Sequence, residues 1–186
     1  MIKFRGSYQD QKIPLKRGQI LLFDGHDRHW TGKIIHWLQK RRGFSEQAAR
    51  WIHVCGVCTD GYLVDPKPPA ISFNTIQSYM RGGYDIAVLT VKNPLVCDTS
   101  RALAFESMLG HAYGKIDLLW FILPRWLRRL GSLNMPGEFC SEMAATALKK
   151  TNELFYLTDK NPDQVFPADL FNEDFFDIDI YSASEE

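Results

Sequence analysis

No stretch of this chain approaches the roughly 20 apolar residues that a membrane-spanning helix needs. The longest apolar run, IDLLWFILP, covers residues 116–124 only, so a transmembrane protein is not expected. A charge imbalance is missing too. Lys plus Arg and Asp plus Glu both number 22 among 186 residues, so no global field draws the chain to nucleic acid or to an acidic partner. Internal repeats and low-complexity linkers are absent as well. With 45% hydrophobic residues, residues 1–186 suit one domain that buries a core without metal or disulfide staples. The opening MIKFRGSYQDQKIPLKRG carries a charge every few positions and lacks the apolar core of a signal peptide. The expectation is a cytoplasmic protein as synthesised, delivered outside only by a leaderless route.

Cysteine is scarce: Cys55, Cys58, Cys97 and Cys140 are all there is. Without a secretory leader these are expected as thiols. Cys55 and Cys58 form a C-x-x-C, but a structural zinc needs about four ligands and no second pair lies nearby. A thioredoxin-type pair sits at a helix start, whereas these two lie in a strand-turn-strand reading, which suits small buried hydrophobes. No metal and no cofactor are expected.

What is present alternates between strand and helix signals. GQILLFDG reads as a strand, and TGKIIHWLQKRRG as a helix with a basic end and Gly43 as its C-cap. WIHVCGVC and GYLVDP flank Thr59-Asp60-Gly61, a strong hairpin signal. ISFNTIQSYM reads as a short connecting segment or helix, and YDIAVLTV as a strand ended by Asn93-Pro94. CDTSRALAFESMLGHAYG is expected as an amphipathic helix capped by Asp98 or Thr99, with Ala102, Leu103, Phe105, Met108 and Leu109 on one side, ending near Gly110. The stretch after Cys140 is helical, NELFYLTDKNPDQVFPADLFN reads mainly as loop, and an acidic tail from about residue 173 is expected to fray at its end. The fold class is α+β, an antiparallel sheet of about five strands packed against helices.

One constellation carries chemistry. Cys140 stands where the turn NMPGE runs into the helical SEMAATALKK, and both a helix N-terminus and a nearby imidazolium stabilise a thiolate. A cysteine nucleophile needs a base, a group that orients the base, and donors for the oxyanion. His53 in mid-strand and Asp65 on the paired strand supply the first two, and the Cys140 backbone N–H supplies the third. Taken alone, a cysteine before an alanine-rich helix is a packed small residue, and Asp65 before Pro66 also suits a turn.

The ordered series RGQILLF, WIHVCGV, YLVDP, GGYDIAVLTV, GHAYGKIDLLW, EFCSEMAATALKK and NPDQVFPADLF resembles the circularly permuted branch of the NlpC-type papain-like cysteine peptidases, in particular the YiiX-like group. The resemblance spans residues 17–170 and implies a papain-like fold, with Cys140 as nucleophile, His53 as base and Asp65 as orienting residue. It also implies that Tyr113 donates to substrate or oxyanion. Three departures stand out. Gln19 replaces a common Asp, Cys55-Gly56 replaces a Gly directly after His-Val, and Asp65 is one methylene shorter than the more usual Glu.

The function so implied is a cysteine hydrolase that cleaves an amide, foremost in peptidoglycan stem peptides or a related small (iso)peptide, with a peptide or glycopeptide as partner. The related lecithin:retinol acyltransferase-like branch implies an alternative, a lipid-directed acyl transferase or acyl hydrolase, with Trp120, Phe121 and Trp126 as an apolar approach. A scaffold that kept the fold and lost activity is a third reading. His26, His29, Asp24 and Asp27 read as solvated surface rather than a metal site, and His111 as a second imidazole near the site. The basic-aromatic stretches LLWFILPRWLRRLG, with Arg125, Arg128 and Arg129, and HWLQKRR read either as core-facing helices with a basic outer face or as interfacial elements. The sequence leaves the oligomeric state open.

Overall fold

A strand whose every residue is apolar and buried belongs inside a sheet, and Ile20–Asp24, apolar but for its last residue, is buried throughout. The computed structural model describes residues 1–8, 12–25, 29–113 and 140–183. In it β1 (Ile2–Ser7), β2 (Ile20–Asp24), β3 (Trp51–Val57), β4 (Leu63–Lys67), β5 (Ala70–Asn74), β6 (Asp85–Val91) and β7 (Phe176–Ser182) form one sheet, ordered β1-β7-β6-β2-β3-β4-β5. All neighbours are antiparallel except β1 and β7, which run parallel.

The α+β class therefore holds, but the sheet is mixed and has seven strands rather than about five. Polarity hid two of them. In β7 the buried Phe176, Ile178 and Ile180 alternate with Asp177 and Asp179, a period of two that an acidic composition disguises. Its neighbour β1 answers that charge. Arg5 donates to Asp179 at 2.8 Å, and the N-terminal ammonium lies 3.6 Å from Asp177. The stretch expected as a tail thus supplies an inner strand, and ISFNTIQSYM divides into β5 and a helix.

Helices cover both faces. On one, Ile20, Leu22, Val54 and Val64 pack with residues of α4 (Asp98–Glu106) and α5 (Cys140–Lys150). On the other, Leu21, Phe23, Cys55 and Leu63 pack with Ile76 and Tyr79 of α3 (Ile76–Arg81). Ahead of β3 come α1 (Trp30–Arg41) and the single turn α2 (Glu46–Ala49). Gly43, at φ +91°, ends α1 as a left-handed residue after the C-cap. In α4 the expected caps give way to Cys97, which makes no side-chain cap, and Leu103 is exposed while Ala102, Phe105 and Met108 are buried. No helix among the described residues is long and apolar enough to cross a membrane.

Gly56 fixes how closely α4 approaches the sheet. A Cβ built there would lie 2.3 Å from the Phe105 ring, so only a hydrogen fits between β3 and that ring. Gly56→Ala should lower stability by about 1–3 kcal/mol through overpacking. Chemical denaturation measures this, and an unchanged midpoint would show that the Phe105 ring moves aside freely.

Candidate functional site

The site begins with one extra residue in β3. Phe23 pairs with His53 but Asp24 pairs with Trp51, which leaves Ile52 as a bulge. A bulge reverses side-chain alternation beyond it. Trp51 consequently packs on the α5 side with Val54, whereas His53 stacks toward Tyr79 on the other side, ring centroids 5.8 Å apart. The β3–β4 ladder is also short. It pairs only Gly56 with Val64 and Val57 with Leu63, so the earlier half of β3 and the later half of β4 leave room for side chains.

Asp65 fills that room. Oδ1 accepts from His53 Nε2 at 2.7 Å and from the Cys55 thiol at 3.4 Å. Oδ2 accepts from Asn74 Nδ2 at 2.7 Å and the Tyr79 hydroxyl at 2.8 Å, and the Lys67 ammonium stands 3.1 Å away. Burial alone would push the Asp65 pKa up. The hydrogen bond and charge of His53, with Asn74 and Lys67, instead hold it well below the ordinary carboxylate range.

The imidazole responds in the opposite sense. Burial acts to lower the His53 pKa, but proximity to Cys55 and hydrogen bonds with Asp65, Cys140 and Cys55 outweigh it and raise the pKa well above its usual value. Of these, the Asp65 carboxylate is the physical source of charge. Burial and Asp65 push the Cys55 thiol up to about 11, so at neutral pH it is uncharged. Nε2 is the ring nitrogen engaged by Asp65, and Nδ1 is not bonded to that carboxylate.

Cys140 is the first residue of α5, an 11-residue helix. Its thiol donates to the carbonyl of the bulged Ile52 at 4.0 Å. The next residue fixes the helix start, because the Ser141 hydroxyl donates to the Val165 carbonyl at 2.7 Å. Cys140 thus approaches from the helical face and His53 from the opposite one, and they meet where β3 bulges.

Both border one cavity of about 410 Å³, whose other walls include Trp30, Ile35, Tyr84, Tyr113 and Phe166. Buried Gln39 of α1 ties that helix to the start of β3 and to Ala168, next to the wall residue Pro167. Its Nε2 donates to the carbonyls of Ala49 and Trp51 at 2.8 and 2.9 Å, and its Oε1 accepts from Ala168 N at 2.8 Å. Tyr113 is in place at the cavity, held by a backbone bond from its N–H to the Pro69 carbonyl at 3.0 Å. Burial first, then the neighbouring Cys140, raise its phenol pKa, which keeps the hydroxyl protonated and able to donate.

Of the other sequence candidates, Asp24 is engaged by Arg50, and His29 lines the cavity. His111 is not among the cavity-lining residues. His26, Asp27, Trp120, Phe121, Arg125, Trp126, Arg128 and Arg129 lie outside the described residues. The ligand atoms of His53, Cys55 and Asp65 fall within 4.8 Å of one another. As a metal set they fit poorly, since the Asp65 carboxylate already meets five donors. Sequence reading missed Cys55, Lys67, Asn74 and Tyr79. Strand parity in WIHVC, which sets Cys55 beside His53, was the available signal for the first.

No protein-family model matches this chain, and comparison with curated proteins and with solved structures finds no match.

The pair has a defined pH signature. The depressed Asp65 pKa contributes stability above its unfolded value of about 3.9, lost as pH falls through the folded value. The raised His53 pKa contributes stability below about 6.5, lost as pH rises through the folded value. The stability difference between wild type and Asp65→Asn should therefore be largest between about pH 4 and 6.5 and shrink on either side. NMR titration of His53 should show its midpoint falling in the variant, and an unmoved midpoint would refute the coupling.

Proposed function

We propose that this protein is a cysteine hydrolase that cleaves an amide bond through an acyl-enzyme on Cys140. The observation that carries the reading is the 2.7 Å bond between His53 Nε2 and Asp65, made beside a cavity that Cys140 also lines. That bond fixes the tautomer, so Nδ1 takes the Cys140 proton. The thiolate attacks the substrate carbonyl carbon, and the oxyanion that forms meets the α5 N-terminus and the Tyr113 hydroxyl. The carbon–nitrogen bond breaks as imidazolium protonates the leaving amine. Water then attacks the thioester, gives a proton to His53, and releases the acid and the Cys140 thiol.

The motif series favours a peptidoglycan stem peptide or a related small (iso)peptide as substrate, on a permuted NlpC-type papain-like fold. One observation favours a second reading. The cavity walls are mainly apolar and aromatic, with Ile35, Leu38, Ile52, Val165 and Phe166 among them, which suits the acyl chain of a lipid-directed acyl hydrolase or transferase. Both readings share the thioester on Cys140.

Mass spectrometry of the intact protein after incubation with mixed muropeptides and acyl lipids should show an adduct on Cys140, whose mass identifies the acyl group. Cys140→Ala should lose the adduct and at least about 10³-fold of turnover, while circular dichroism stays unchanged. A folded Cys140→Ala protein with undiminished turnover would sink the proposal.

A further inference from the structure

The cavity opens beside the first turn of α1, where Trp30 and Thr31 line it. On a helix advancing about 100° per residue, Trp30, Lys33, Ile34, Trp37 and Arg41 fall on one side. The buried Gly32 and Gln39 fall on the other, with buried Leu38 at the boundary between the two. Trp30 is 70% exposed and Trp37 50% exposed, a large cost for two indoles if water is their only neighbour. The same helix carries Lys33, Lys40 and Arg41 and no acidic residue. Lys40 is drawn to Glu46 at 2.9 Å, whereas Arg41 lies over the Trp37 ring at 5.2 Å.

We infer that this outer face of α1 docks the protein on an anionic lipid bilayer. The chemistry of the face selects that partner. Tryptophan favours the headgroup level, where its ring is dehydrated and its N–H stays wet. Lys33 and Arg41 flank the indoles and meet anionic headgroups, an attraction that zero net charge over the whole chain does not supply. Because Trp30 belongs to both the exposed face and the cavity rim, docking turns the cavity mouth to the bilayer surface. An apolar acyl group then passes from membrane to cavity without crossing bulk water. The docking stands independently of the thiol chemistry. Only its use for delivering an acyl substrate rests on the second reading of the site.

The test is co-sedimentation of the full chain with vesicles of phosphatidylglycerol and phosphatidylcholine, compared with phosphatidylcholine alone. Wild type should bind the anionic vesicles at low salt, bind the neutral ones at least about tenfold more weakly, and be released at about 0.5 M salt. Trp30→Ala/Trp37→Ala and Lys33→Glu/Arg41→Glu should each weaken binding about tenfold or more, with circular dichroism confirming the fold. If the double tryptophan variant misfolds, Trp37→Ala alone serves, since that side chain is half exposed. Failure to bind anionic vesicles at low salt overturns the proposal, as does binding that both variants retain. A dimer that the tryptophan variants dissociate, with no vesicle binding, overturns it in favour of a second copy as the occupant. Adduct formation on Cys140 with a water-soluble acyl substrate reads the catalytic proposal without a membrane, so the two failures are distinguishable.

Discussion

The extra residue at Ile52 is the constraint on which the rest of the site depends. Without it His53 and Trp51 would share a face, and the imidazole would lose either Asp65 or the meeting with Cys140. A bulge disrupts its ladder and needs support from outside the sheet. Here the support is polar and comes from both sides. Arg50, the residue before β3, joins Asp24 of β2 to Asp85 of β6 and lies over the Trp51 ring at 5.2 Å. Gln39 takes up the Trp51 carbonyl, and the Cys140 thiol faces the Ile52 carbonyl. The backbone carbonyls at the bulge are thereby matched to side chains, one of which, Cys140, also lines the cavity.

A second constraint arises from burying a carboxylate. Asp65 is 1% exposed, and an isolated charge in that position would cost several kcal/mol. Its donors come from different elements: His53 and Cys55 on β3, Lys67 on β4, Asn74 at the end of β5, and Tyr79 on α3. The carboxylate consequently acts as a hub that ties three strands and a helix around one imidazole. Cys55 contributes shape and a weak donor without competing for charge, since its thiol is neutral. Lys67 lies over the Tyr79 ring at 4.1 Å, so the cation nearest the hub is itself held in place.

How much of this was legible depended on range. Some short-range signals hold: the Asp60-Gly61 hairpin places Asp65 opposite β3 and Gly43 follows the end of α1, whereas the cap of α4 falls one residue earlier than Asp98. Long-range pairings were not legible. β1 and β7 lie at opposite ends of the chain, and their partnership rests on complementary charge and a period of two within polar-looking segments. The bulge left no local mark, because WIHVC is an ordinary apolar strand until its register with β2 is known. Spacing also could not bring Cys140 to His53, 87 positions apart. In space the first turn of α5 meets the bulged backbone. Gln39 was missed for a similar reason, since a glutamine in a basic helix reads as surface until three backbone groups converge on it.

The apolar cavity and the polar hub strengthen each other. Cys140 and His53 share a cavity whose walls include Ile52, Tyr79 and Phe166, and an electrostatic interaction beside such apolar walls is stronger than in water. The same medium makes an unpartnered charge expensive, which is why the hub must saturate Asp65 before the imidazole can carry a proton. Once it is saturated, the carboxylate holds the ring through Nε2 and favours its protonated form. A cavity wetted throughout would weaken this bias, and a hub short of donors would raise the Asp65 pKa and release its hold on the ring. Apolar walls and a five-donor carboxylate are therefore parts of one arrangement.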